Sequence, residues 1–357
     1  MTLRIEQTPP RPQRPRPIVL IGAGGIVHDA HLPAYRKAGF PVHGITDLQR
    51  EKAETLARAF AIPNIYATTE EAVQNAPPEA VYDIAVPASA LLSVLEKLPP
   101  GAAALMQKPM GENLEQARAI RALCRERKLT AAVNFQLRFA PYILAARSLI
   151  AQGVVGELHD MEVRVTVDTP WHLWAFFATL PRVEILYHSV HYIDLLRSFL
   201  GEPRGVYAKT LRHPNQAGLA NTRSAILLDY GDAVRATITT NHGHRFGQRH
   251  QESYVKWEGT RGAIKATLGL LMNYPQGLPD ALEYSTEENG ALTEWRSVPL
   301  EGSWFPDAFI GTMGSLLRFA EGSSDTLPTA FEDAYRTMTV VEAAYRSSVE
   351  GATPIAV

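Results

Sequence analysis

The residues whose types and spacing could do chemistry begin with Gly22-Ala23-Gly24-Gly25-Ile26-Val27, which breaks the apolar run Ile18-Val19-Leu20-Ile21. A buried strand that ends in a tight glycine turn and feeds a helix start aims backbone N–H groups at one point. The positive helix end lies behind them, and a pyrophosphate fits there. Gly22 permits the turn and Gly24 the close approach of a phosphate, while Val27 stands where G-x-G-x-x-G/A takes its third small residue. Asp47 closes the next apolar run, Val42–Thr46, at roughly the twenty-residue distance where a carboxylate hydrogen-bonds the ribose hydroxyls of a dinucleotide. The same aspartate could also cap the following helix. Its charge would repel a 2′-phosphate, which favours NAD over NADP, and Arg50 nearby weakens that preference. Pro87 and Lys108 stand at the ends of two further apolar runs.

These groups need elements to hold them. Strands are expected over 18–21, 42–46, 65–66, 82–87, 102–106 and 131–135, with helices over 26–38, 50–60, 69–74, 90–98 and 112–127. Strands alternating with helices imply a doubly wound parallel sheet, whose ligands lie at the carboxyl ends of the strands. Gly22, Asp47, Pro87 and Lys108 all fall at those ends. From about Pro141 the rhythm changes. After a helix over 142–152, a strand over 158–167, an aromatic segment over 171–179 and a helix over 184–200, seven strands follow over 206–212, 223–230, 233–241, 252–258, 263–267, 282–285 and 294–298. Strand after strand without intervening helices implies a mainly antiparallel sheet. Helices over 306–321 and 331–350 close the chain. The expected organisation is a flexible Pro/Arg-rich arm (1–17), a Rossmann dinucleotide-binding domain (18–137), and an α/β domain with an open, mainly antiparallel sheet for substrate and oligomer contacts (138–357).

Composition removes several classes. A formal net charge of −2 and the lack of a basic tract give no electrostatic case for nucleic acid or an anionic membrane. Cys124 is the only cysteine, which excludes an internal disulfide and fits a reducing, cytoplasmic setting. No apolar stretch has the length of a membrane span.

Taken in order, the motifs resemble the Gfo/Idh/MocA oxidoreductase family. They are Gly22-Ala23-Gly24-Gly25-Ile26 with His31-Leu32-Pro33, Asp47, Ala85-Val86-Pro87, Lys108-Pro109, His191-Tyr192-Ile193-Asp194-Leu195-Leu196 before Gly201, Gly259-Thr260-Arg261-Gly262, and Glu342-Ala343-Ala344-Tyr345-Arg346-Ser347. The resemblance implies a Rossmann domain with a second open-sheet domain and NAD(P). It also implies hydride transfer at a hydroxyl-bearing carbon of a sugar, cyclitol or sugar acid. Lys108 would then sit by the nicotinamide with His191 facing it, and the cofactor would contact Gly22, Gly24, Gly25, Ile26, Asp47, Pro87, Gln107 and Lys108. Two positions depart from the pattern. Gln107 replaces the usual glutamate, and Tyr187 stands where the family has an aspartate one helical turn before the histidine.

Hydride transfer from an alcohol needs a base for the hydroxyl proton and a donor to hold the oxygen. Lys108, Tyr187 and His191 can supply these, with Tyr187 and His191 on one helix face. Candidates for substrate contact are Lys108, Asn134, Arg138, Trp171, His188 and His191, with Trp171, His172 and Trp174 as an aromatic wall. The basic stretch Asn241–Arg245 with Arg249 and His250 could take a substrate anion or line a subunit contact. Glu184, His188 and His191 have helical spacing, but nicotinamide chemistry does not call for a metal, and none is expected. The expected partners are a small polyhydroxylated substrate and a second copy of the chain, as a homodimer or homotetramer. Two rivals remain: a member that uses NAD transiently for elimination or glycoside cleavage, and a non-catalytic NAD-dependent sugar sensor.

Overall fold

The computed structural model describes residues 3–355. The chain forms two compact units, residues 8–140 with 303–338, and residues 3–7 with 141–302 and 339–355.

In the first unit the strands β1 (Ile18–Ile21), β2 (Val42–Thr46), β3 (Asn64–Tyr66), β4 (Val81–Ile84), β5 (Ala103–Met106) and β6 (Thr130–Val133) form a parallel sheet in the order β3-β2-β1-β4-β5-β6. The connecting helices are α1 (Leu32–Ala38), α2 (Arg50–Phe60), α3 (Thr69–Gln74), α4 (Leu91–Leu95) and α5 (Leu114–Glu126). β1, β4 and β5 are buried along their whole length, as parallel strands covered on both faces must be. Ile21 pairs with Thr46 and with Ile84, and Ile84 with Met106. The residues after these four strand ends therefore lie along one edge of the sheet.

Three expectations are corrected here. Residues 26–38 are helical up to Gly39 as expected, but not α-helical throughout, because Val27–His31 forms a wide π-type turn in which the Leu32 N–H reaches back to the Val27 carbonyl. The helix α8 (Asp307–Glu321), placed by sequence with the second domain, belongs to the first. Its Phe309, Met313 and Leu317 share one core cluster with Leu20, Val27, Tyr35 and Ile45. Periodicity shows that a helix is amphipathic, not which sheet receives its apolar face. The proline-rich segment is not a loose arm either: Gln13 and Arg14 donate backbone N–H groups to Glu321, each at 2.9 Å, and Arg16 bonds the Ala320 carbonyl.

The second unit holds α6 (Pro141–Ala151), α7 (Val190–Leu200) and a large sheet. Its strands are β7 (Leu158–Thr166), β8 (Gly205–Leu211), β9 (Arg223–Asp229), β10 (Arg235–Asn241), β11 (Glu252–Gly259), β12 (Gly262–Thr267), β13 (Ala281–Glu288), β14 (Ala291–Leu292) and β15 (Arg296–Ser297). The order is β14-β13-β12-β11-β7-β10-β9-β8, with β15 also on β13. Only β7 and β10 pair in parallel; the other pairs are antiparallel. Alternate residues of β9 and β10 are buried, so one face of the sheet is packed and the other open. The expected helix over 184–200 also begins in a π-type turn, Ile185–Ser189, which carries Tyr187 and His188. Such turns widen a helix locally and often occur at functional sites. The last helix, α9 (Phe331–Glu350), has the expected bounds, and the division between the units falls inside it.

Candidate active site

The dinucleotide site starts from Gly22. Its φ of +109° lies where side chains are strained, and a Cβ there would overlap the Ala85 carbonyl at the end of β4. Glycine is required by the protein itself. At Gly24 nothing lies within 4 Å of where a Cβ would stand, so the space above the turn is open for a phosphate to approach. Asp47 is tied into the same turn: its Oδ2 accepts the Ala23 N–H at 2.7 Å and its Oδ1 the Gln49 N–H at 2.7 Å. The carboxylate thereby stands fixed between the glycine turn and α2. Arg50, the one residue arguing for a 2′-phosphate, is taken up by Glu54 at 2.8 Å. The edge has an exposed hydrophobic neighbour in Leu48. Gly22, Gly24, Gly25, Ile26, Asp47 and the exposed Pro87 thus suit a dinucleotide in form and polarity.

Lys108 follows β5 along the same edge. The residue is partly buried, and desolvation of its ammonium lowers its pKa from the ordinary 10.5 to about 8. Gln107 accepts the Lys108 backbone N–H on its own Oε1 at 2.8 Å. Its amide nitrogen lies 3.5 Å from His31 Nε2.

Behind this edge runs a buried polar chain that sequence reading missed. His31 Nδ1 lies 2.7 Å from Asp83 Oδ2, and the Tyr35 hydroxyl donates to the same oxygen at 2.7 Å. Asn134 Nδ2 is 3.2 Å from His31 Nε2, and Thr312 donates to Asn134 Oδ1 at 2.7 Å. These partners assign the tautomer: Nδ1–H is donated to the carboxylate, and Nε2 accepts from the amide. Burial first, then the Asp83 charge, raises the Tyr35 pKa well above its usual value, so its hydroxyl remains a donor. The available signal was Asp83 itself, an acid inside the apolar strand Val81-Tyr82-Asp83-Ile84.

Two expected substrate contacts are committed elsewhere. Asn134 is fully buried in the chain just described. Arg138 is buried and donates to Asp333 at 2.6 Å and to the Pro328 carbonyl at 2.9 Å. Both hold their unit together.

In the second unit Trp171, His188 and His242 cluster. The two histidine rings are 4.5 Å apart, and Trp171 stands edge-on to them at 5.3 and 5.8 Å. His242 Nδ1 is 2.9 Å from the Thr169 hydroxyl, and its Nε2 is 3.6 Å from the buried Glu184 carboxylate. Ser189 donates to that same Glu184 oxygen at 2.7 Å. Tyr187 is half-buried with its ring against Phe177 at 5.3 Å, and His191, one turn on, is buried in α7. Trp174 packs on Tyr274 at 5.4 Å, while His172 is exposed. Among the described residues no group of three or more His, Cys, Asp or Glu is arranged to hold a metal ion.

A six-stranded 3-2-1-4-5-6 sheet with a glycine turn and a strand-end aspartate defines a dinucleotide-binding protein of the Rossmann class. Residues 16–135 match the oxidoreductase family with an NAD-binding Rossmann fold, and residues 143–265 match the GFO/IDH/MocA C-terminal domain. The chain belongs to this family and is an NAD-binding oxidoreductase. It is 24% identical to a D-apiose dehydrogenase from Paraburkholderia graminis over 340 residues, covering 94% of this chain and 88% of that one. It is 25% identical to a 1,5-anhydro-D-fructose reductase from Ensifer adhaerens over 69% of this chain and 74% of that one. Its fold matches an oxidoreductase from Agrobacterium radiobacter, solved with NAD+, L-tartaric acid and magnesium. That match has a TM-score of 0.78 and 20% identity, covering 95% of this chain and 98% of that one.

If Asp47 holds the ribose hydroxyls, Asp47→Ala should weaken NAD binding by about tenfold or more while narrowing the gap to NADP, each read by titration of the quenched protein fluorescence. Tighter binding of NADP than NAD by the unaltered chain would contradict this.

Proposed function

We propose that this protein transfers a hydride between NAD and a hydroxyl-bearing carbon of a sugar, cyclitol or sugar acid, with Lys108 handling the hydroxyl proton. The observation that carries the reading is Lys108 at the carboxyl end of β5, on the strand edge shared with Gly22 and Asp47, with burial bringing its pKa to about 8. NAD, when bound, supplies the hydride acceptor. Gly22, Gly24, Gly25 and Ile26 would receive its pyrophosphate and Asp47 its ribose, and the fixed Asp47 carboxylate excludes a 2′-phosphate. Lys108, neutral in a useful fraction near neutral pH, takes the substrate's hydroxyl proton in oxidation and returns it in reduction. The relatives named as acting on apiose and anhydrofructose support a carbohydrate-type substrate. Formation of NADH across aldoses, cyclitols, aldonates and uronates tests the reading, with NADP in parallel. Intact NAD binding with no turnover on any of them would point to a sensor.

Tyr187 and His191 compete for the second proton-handling role. If Tyr187 takes part, Tyr187→Phe should lower turnover about 10²-fold with NAD affinity intact. Unchanged turnover in that variant, with collapse in His191→Ala, would give the role to His191. A homodimer or homotetramer is proposed on the open sheet face, where exposed Tyr207 of β8 lies opposite exposed Leu227 of β9. Light scattering at micromolar concentration should report a mass above one chain, and a monomer would oppose it. A cytoplasmic setting is proposed on the single, buried Cys124.

A further inference from the structure

A cavity of about 570 Å³ opens at one end of the second unit's sheet. Thr166 of β7 is level with Asn241 of β10 and with Glu252 of β11, so the segments that follow or precede these strands meet at that end. Asp168 and Trp171 line the cavity from the segment after β7, His244, Arg245 and Gln248 from the segment after β10, and Tyr274 from the segment after β12. The segment from His242 to Gln251 carries two arginines, three histidines and no acid.

The charge in this lining is uncommitted. The arginines on the neighbouring strands are paired, Arg164 with Glu252 at 2.6 Å and Arg235 with Asp160 at 2.6 Å. Among the described residues no carboxylate pairs with the exposed Arg245 guanidinium. The planar fork of Arg245 matches a carboxylate bidentately. Asp168, in the same wall, offers acceptors to hydroxyls and opposes a dianion such as a phosphate ester. The Trp171 and Tyr274 rings provide apolar surface for the C–H face of a sugar.

We infer that this cavity selects a sugar acid, with Arg245 receiving its carboxylate and Asp168 its hydroxyls. This rests on the carbohydrate reading above and narrows it to monoanionic aldonates or uronates. The test is calorimetric titration of the full chain, in the presence of NAD, with D-gluconate, D-glucuronate, D-glucose and D-glucose 6-phosphate, repeated on Arg245→Gln. At least one sugar acid should bind about tenfold or more tightly than glucose, and Arg245→Gln should bring the two within about twofold without changing the thermal midpoint. Equal binding of acid and neutral sugar, preference for the phosphate, or an acid preference that survives Arg245→Gln would overturn the inference. Arg245-dependent binding of the acids without NADH formation would leave the cavity assignment standing and remove the hydride-transfer reading. NADH formation from neutral sugars with no acid preference would do the reverse.

Discussion

Replacing Lys108 with methionine should lower turnover by about 10²- to 10⁴-fold while NAD affinity stays within a few-fold, because the stem is kept and only the proton acceptor is lost. In the unaltered protein, kcat/KM for alcohol oxidation should rise about tenfold per pH unit and level off near pH 8, where the Lys108 ammonium gives up its proton. That limb should disappear in Lys108→Met. The same desolvation couples to folding. Between about pH 8 and 10.5 the folded chain has released a proton that the unfolded chain still holds, so this group's contribution to stability increases with pH across that window. Below it, both states are protonated and the folded state carries the cost of the buried charge. A pH–rate limb that persists unchanged in Lys108→Met would assign it to another group.

Asp83→Ala should strongly destabilise the first unit. Asp83 accepts from both His31 and Tyr35, and all three are buried. Removing the shared acceptor leaves a buried imidazole N–H and a buried phenol without partners, a loss on the order of 3–5 kcal/mol. For a unit of this size that lowers the thermal midpoint by roughly 10 °C. Asp83→Asn, which keeps one acceptor oxygen, should recover part of the loss, and Tyr35→Phe should cost only about 1 kcal/mol. A fall of less than 2 °C in Asp83→Ala, about what a loss under 1 kcal/mol would give, would mean that water or a rearranged partner replaces the carboxylate. The network also reaches the Lys108 backbone through Gln107, so a folded Asp83→Asn that has lost turnover would show that the chain positions the strand end.

What the sequence made legible follows from short-range physics. The Gly22 turn, the Asp47 strand end and α9 were readable because a glycine break, an acid after an apolar run and a helical period are local signals. The first sheet's class followed from the alternation of strands and helices. Long-range pairing left no such trace. His31 and Asp83 are far apart in sequence, as are Glu184 and His242, and only the closed fold brings them together. The two π-type turns were missed for a different reason: the side-chain pattern of Val27–His31 and Ile185–Ser189 is compatible with an ordinary helix, and the extra residue per turn shows only in backbone hydrogen bonds. At the first of them, fully buried Val27 occupies the place where a close-packed turn takes glycine. Arg138, a candidate substrate contact in the sequence, instead pairs with Asp333, a partner 195 positions away that no local signal reveals.

The most direct test follows the hydrogen itself. With the substrate found by the panel and prepared with deuterium on the carbon to be oxidised, NADH isolated after turnover should carry one deuterium, and Lys108→Met should form almost none in the same time. NADH without deuterium, or labelled reduced cofactor formed equally fast by Lys108→Met, would contradict hydride transfer with Lys108 as the proton acceptor.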